Sequence, residues 1–181
     1  GVDLTGAVAD PAYATTLAFA TLDPDSGGLA YSFARKPGAD LMLREDELDL
    51  ERIRSARVVH VGSLSLIAEP ARSATLRAIR EAHGVGALVS CDPNARPHAW
   101  NRAQDMLDAI ALVVDQADLL KVSVAEMELL TGLDDVAVGA RELLDRGPRL
   151  VAVTLDEHGA YLATRRAQAF SEAYPVAQVV D

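Results

Sequence analysis

The chain of 181 residues has one cysteine, Cys91, so no disulfide can form within it, and a reducing, cytoplasmic setting is expected. Tryptophan also occurs once, and aromatic residues make up only 4% of the total. Trp100 is read as packing against a sheet edge rather than stacking on a base. No stretch approaches the roughly 18 apolar residues that a bilayer-crossing helix needs, and no signal peptide is visible. Positive charge is scarce: 17 Lys and Arg face 27 Asp and Glu, a formal net charge of −10 with a pI near 4.8. Such a chain repels phosphate polymers and anionic lipid, which sets aside nucleic acid and membrane surfaces as partners. A small anionic ligand stays open, because a few local cations can outweigh the net charge at short range.

Several motifs are absent as well. There is no G-x-x-x-x-G-K-[ST] phosphate loop, no G-x-G-x-x-G fingerprint and no G-x-S-x-G elbow. His60, His83, His98 and His158 are scattered without metal-ligand spacing among themselves or with Cys91. His60 lies inside an apolar run and is expected to be a packed core histidine.

What is present is a repeating alternation of apolar runs and helical patterns. Runs at 58–61, 87–91, 118–122 and 149–155 begin about 30 residues apart, the length of a strand–helix–strand unit. Between them, segments 69–84, 101–117 and 134–147 carry apolar residues at helical spacing, with Gly84 and Gly147 as stops. Crossovers of this length build a parallel sheet flanked by helices. Ahead of them, TTLAFATL (15–22), DPDSGG (23–28) and LAYSFAR (29–35) predict an antiparallel hairpin. AYLAT (160–164) and VAQVVD (176–181) are expected to form a further strand pair.

Ligands of open parallel sheets sit beyond the carboxyl ends of the strands. Each strand end here delivers polar groups: Gly62-Ser63, then Asp92-Pro93-Asn94 with Arg96, then Lys121, Ser123 and Glu126, then Thr154, Asp156 and Gly159. Each also has a plainer reading. Ser123-x-x-Glu126 is equally a capping box. Asp92-Pro93-Asn94 and Asp156–Gly159 are equally turns, and Arg96 and Arg35 equally surface charges.

The succession GVDLTGAV, TTLAFATLD, YSFARKPGADLML, HVGSLSL, CDPNARPHAW, LLKVSVAEMELLTG and VAVTLDEHGAYL resembles fructokinase-like members of the PfkB/ribokinase sugar kinase family, in order over essentially the whole chain. The resemblance implies an α/β ribokinase-like fold, three layers α/β/α, with a core at 1–13 and 41–181 and a partial β-hairpin lid at 14–40. It implies transfer of the γ-phosphate of ATP to a sugar hydroxyl, with magnesium and often a monovalent cation. Fructose is the first expectation, and a homodimer through the lid occurs in the family. By position, Arg35, Asp40, Asp92, Asn94 and Arg96 match sugar-side residues. Lys121, Ser123, Thr154 and Gly159 fall on the nucleotide and phosphate side, and Glu126 matches the residue that orders magnesium-bound water.

Two departures are visible. Ser123 stands where many members have Asn, and Asp156 where the family commonly has Gly. The family's first strand and Gly-Gly-x-x-Asn stretch would precede Gly1, and its G-A-G-D motif with the catalytic base would follow Asp181. The expectation is therefore an internal portion of a sugar kinase, inactive by itself. A 2-keto-3-deoxygluconate kinase, a non-catalytic sugar- or nucleotide-binding module of the same fold, and a generic doubly wound domain are the alternatives.

Overall fold

A computed structural model describes residues 1, 4–22, 29–34 and 37–176. The predicted hairpin is present: β1 (Leu17–Leu22) pairs antiparallel with β2 (Leu29–Ala34) as a separate two-stranded sheet. The turn sequence 23–28 and Arg35 lie outside the described residues.

The main sheet has six strands in sequential order, β3 (Val58–Val61), β4 (Leu88–Cys91), β5 (Leu119–Ser123), β6 (Leu150–Thr154), β7 (Ala160–Ala163) and β8 (Gln168–Ser171). The first four are parallel, as their spacing predicts. The helices are α1 (Leu50–Ser55), α2 (Ala71–Gly84), α3 (Ala103–Val114), α4 (Val124–Thr131) and α5 (Val136–Arg146). Successive parallel strands are always added on the same side, so right-handed crossovers must put the connecting helices on one face.

The strands record this in their burial. Val61, Val89, Cys91, Leu120, Val122, Val151 and Val153 are buried and join one core with Ile79, Met106, Ile110, Val113, Leu143 and Leu144 from the helices. Their neighbours along each strand point the other way. Leu88, Leu119, Leu150 and Ala152 are only half-buried, and Val58 is 47% exposed. Of the three expected layers, the described residues thus supply the sheet and one helical layer.

Two expectations are corrected. His60 is exposed rather than packed in the core, because the period-two alternation of β3 turns Val59 and Val61 inward and His60 outward. On that open face its Nδ1 lies 3.1 Å from Ser90 Oγ on the adjacent strand. Residues 160–163 pair antiparallel with β6 on one side and with Gln168–Ser171 on the other, not with 176–181, of which 177–181 lie outside the described residues. A short turn makes the nearer pairing: Thr164 N donates to Ala167 O at 2.8 Å, and Ala167 N donates back to Thr164 Oγ1 at 3.0 Å.

At the amino ends of the strands one carboxylate is a hub. Asp118 Oδ2 accepts the Val89 N–H at 2.9 Å, and Oδ1 lies 3.1 Å from Arg149 Nε. Its own amide donates to Val89 O at 2.8 Å, so side chain and backbone together extend the β4–β5 pairing. Arg149 is 76% exposed while Asp118 is 13% exposed, so the two partners have unequal weight. Asp118→Ala, which leaves the Val89 amide unanswered, is expected to cost about 1–3 kcal/mol in denaturant unfolding. Arg149→Ala, which removes only a surface ion pair, is expected to cost about 0–1 kcal/mol.

Candidate functional site

The carboxyl ends of β4 and β5 carry the site, and a single side chain joins them. Ser123 caps α4: its Oγ accepts the Glu126 amide at 3.2 Å, and Glu126 Oε2 accepts the Ser123 amide at 2.8 Å. This is the reciprocal capping box that the S-x-x-E spacing predicts. The other oxygen of the same carboxylate, Oε1, reaches across to the Ala95 amide at 2.7 Å, in the middle of the D-P-N-A-R loop. Glu126 therefore ties together two segments 31 residues apart in sequence. The bond to Ala95 is the part that local reading of the sequence misses, since nothing in a capping box points to a second loop.

The loop itself is stiffly built. Asp92 Oδ1 accepts the Asn94 amide at 3.1 Å, an Asx turn, and Asn94 sits at φ +45°, a left-handed conformation that Asn tolerates better than most side chains. Asp92 N donates to Val61 O at 3.2 Å and Ser63 N to Pro93 O at 3.1 Å, which fastens the loop to the end of β3. Lys121 Nζ lies 3.2 Å from Asp92 Oδ2, bringing a cation from the open face of β5 to the same loop. Arg96 is half-buried beside them, its Nη1 donating to Ala95 O at 3.1 Å. His60, Gly62, Ser63, Ser65, Asp92 and Asn94 border an open cleft of about 380 Å³.

Among the described residues, only two buried polar side-chain atoms lack a hydrogen-bond partner, Ser63 Oγ and Trp100 Nε1. Both flank this loop, one on each side in sequence. Cys91, 2% exposed at the end of β4, has its thiol pushed up to about 12, first by burial and then by the negative charges of Asp92 and Glu126. It is an inert packed residue, not a nucleophile.

The structure brings together Asp92, Asn94, Arg96, Lys121, Ser123 and Glu126 from the set singled out in the sequence. Thr154 lies beside Ser123 in the β5–β6 register, its Oγ1 3.4 Å from Val122 O. Gly159 has a reason of its own to be glycine: at φ +106° a Cβ would run into the carbonyl of Ser171 on β8. Asp156 occupies a short turn at φ +49° and is exposed. Asp40 borders a different cleft, of about 400 Å³, with Gly6, Val8, Asp10, Met42 and Glu47, and accepts from Thr16 Oγ1 at 2.5 Å. Arg35 and Asp181 lie outside the described residues.

No group of three or more His, Cys, Asp or Glu side chains able to hold a metal ion occurs among the described residues. Three donors already bind the Glu126 carboxylate: Oε2 serves two from Ser123 and Oε1 serves the Ala95 amide. One lone pair of Oε1 is left for a further donor. No helix among the described residues is long and apolar enough to cross a membrane.

The cleft lies at the ends of β3 and β4, beside the loop that Lys121 and Glu126 hold, and comparison decides the family. The pfkB family carbohydrate kinase profile matches residues 1–181. The chain belongs to that family. It is 43% identical over 180 residues to fructokinase-1 of Oryza sativa subsp. japonica, covering 99% of this chain and 55% of that protein. A fructokinase from Xylella fastidiosa with bound ATP superposes with a TM-score of 0.83 at 29% identity, over 95% of this chain and 53% of that one. A Vibrio cholerae O395 fructokinase double mutant bound to fructose, ADP and potassium gives 0.79 at 32% identity, over 92% and 53%. The pfkB chain thus spans about half the length of the relatives it matches, and the α/β ribokinase-like architecture is the one they share.

Two outcomes test this local reading. Glu126→Ala strips the acceptor from the Ala95 and Ser123 amides and is expected to cost about 2 kcal/mol in denaturant unfolding. Native Cys91 is expected to resist thiol reagents at pH 8 and to react on unfolding. Because its folded pKa lies above the unfolded value of 9.0, thiol ionisation favours the unfolded chain between about pH 9 and 12. Stability is therefore expected to fall as pH rises through that window in wild type, and less so in Cys91→Ala.

Proposed function

We infer that this chain carries the sugar- and phosphate-facing strand ends of an ATP-dependent sugar kinase, with fructose as the acceptor. The observation that carries the reading is the Glu126–Ala95 bond, which sets Asp92, Asn94, Arg96 and Lys121 on one rim. Asp92 and Asn94 offer the mixture of acceptors and donors that neighbouring hydroxyls of a sugar require. Lys121 and Arg96 offer positive charge where a transferring phosphoryl group develops negative charge, and phosphoryl transfer depends chiefly on such positioning and stabilisation. Ser123 and Thr154, side by side on β5 and β6, are assigned to the nucleotide end.

On this reading the hairpin within 14–40 is a lid over a core made of 1–13 and 41–181. Its Leu17 and Phe19, 54% and 52% exposed, give it an apolar face suited to pairing with a second copy. Magnesium, when bound, neutralises phosphate charge, and Glu126 would hold it through water. A monovalent cation is expected too, in line with the potassium seen with the Vibrio enzyme. Asp92 is engaged by Lys121 and by the Asn94 amide, and Glu126 by Ser123 and Ala95. Both carboxylates thus serve as structural acceptors, and neither is assigned the role of general base. The isolated 181-residue polypeptide is therefore expected to bind ligand without turnover.

Fructose is expected to raise the melting temperature of the chain, and Arg96→Ala to weaken fructose binding by about tenfold or more in calorimetric titration, the loss of one charge-assisted contact. Release of ADP from ATP and fructose is expected to stay at background. A stronger response to 2-keto-3-deoxygluconate than to fructose would reassign the substrate. No response to either sugar would sink the kinase reading.

A further inference from the structure

The hairpin and the D-P-N-A-R loop meet at one described pair of rings. Phe33 of β2 stacks on His98, with ring centroids 5.6 Å apart and planes inclined by 14°. His98 sits in the 3-10 turn Pro97–Ala99, which begins directly after Arg96. Ala99 N donates to Arg96 O at 2.9 Å and Trp100 N to Pro97 O at 3.1 Å. Pro93 and Pro97 fix two φ angles in the same segment. A push on the His98 ring therefore reaches the backbone of Arg96 through one short, stiff turn.

The hairpin needs such a contact. A two-stranded ribbon is marginal in water unless it packs on something, and most of the described side chains of β1 and β2 are exposed. Two further ties act near the ribbon's base, Ala39 N to Ala14 O at 2.9 Å and Thr16 Oγ1 to Asp40 Oδ1 at 2.5 Å. They act at its ends, whereas the ring stack joins β2 to the turn that follows Arg96. The loop is in turn held from below, where Ala95 N donates to Glu126.

We propose that Phe33 and His98 form a latch through which the position of the hairpin sets the position of Arg96, making His98 a positioning residue of the rim. The proposal rests on the sugar-kinase reading only for what Arg96 then contacts; the mechanical coupling stands apart from it. The single tryptophan, two residues past His98, is a built-in reporter on the loop.

The test compares His98→Ala, Phe33→Leu and His98→Tyr with wild type by hydrogen exchange and Trp100 emission. In the first two, exchange of the amides in 17–22 and 29–34 is expected to rise about tenfold while those of β4 to β6 keep their protection. His98→Tyr, which restores a ring against Phe33, is expected to recover the hairpin's protection. Phe33→Leu is expected to change Trp100 emission although the substituted residue lies on the other element, a response that simple local packing would not give. Unchanged hairpin exchange in His98→Ala, an insensitive Trp100 in Phe33→Leu, or exchange rising equally in β4 to β6 would each overturn the latch. Fructose added to wild type supplies the separate control: if exchange of 92–97 ignores the sugar while the variants behave as expected, the sugar reading fails and the latch stands.

Discussion

The Glu126 carboxylate is the point on which the geometry of the rim depends. A parallel sheet delivers its strand ends to one edge but leaves the loops beyond them free to choose their own paths. Here one oxygen closes the capping box of α4 and the other holds the amide of Ala95, so the loop after β4 is indexed to the helix after β5. Without that bond the Asx turn at Asp92 would still form and stay fastened to the end of β3, but Ala95 would lose its direct tie to α4. Lys121 adds a second tie through Asp92, weaker because both groups are partly solvated.

The sheet imposes the other constraint. Sequential parallel strands with right-handed crossovers gather their helices on one side, and the alternation of β3 to β6 follows. Inward residues are Val, Leu and Cys without exception, whereas the opposite face mixes Val58, His60, Leu88, Ser90, Leu119 and Lys121. That mixture is what allows Lys121 to stand inside a strand and still reach Asp92: its stem lies on the open face and its ammonium projects to the rim. A chain of net charge −10 can thus hold a cation at the strand ends, paired with Asp92 and partly solvated.

Sequence reading recovered what is local or periodic. The four parallel strands, their intervening helices, the hairpin and the Ser123–Glu126 box all declare themselves within a few residues, through runs, spacing and capping chemistry. What it missed depends on contacts between distant segments. The tie from Glu126 to Ala95 spans 31 residues, and the hub at Asp118 joins β4 to the start of β6. Strand β8 escaped for a different reason: all four of its residues are exposed, so no apolar pattern marks it, and the turn at 164–167 decides the pairing. His60 was misplaced because an apolar run reads as buried on both sides when only one face of this sheet carries helices.

Capping and function are usually weighed as alternatives at a motif such as S-x-x-E. In this chain they are the same arrangement seen from two sides. The box fixes the rotamer of Glu126, and a fixed rotamer is what lets its second oxygen hold Ala95. Three donors on two oxygens leave one of the four carboxylate lone pairs unused. A structural role for Glu126 and a functional one are therefore compatible, because a pre-organised group need not reorganise when a ligand arrives.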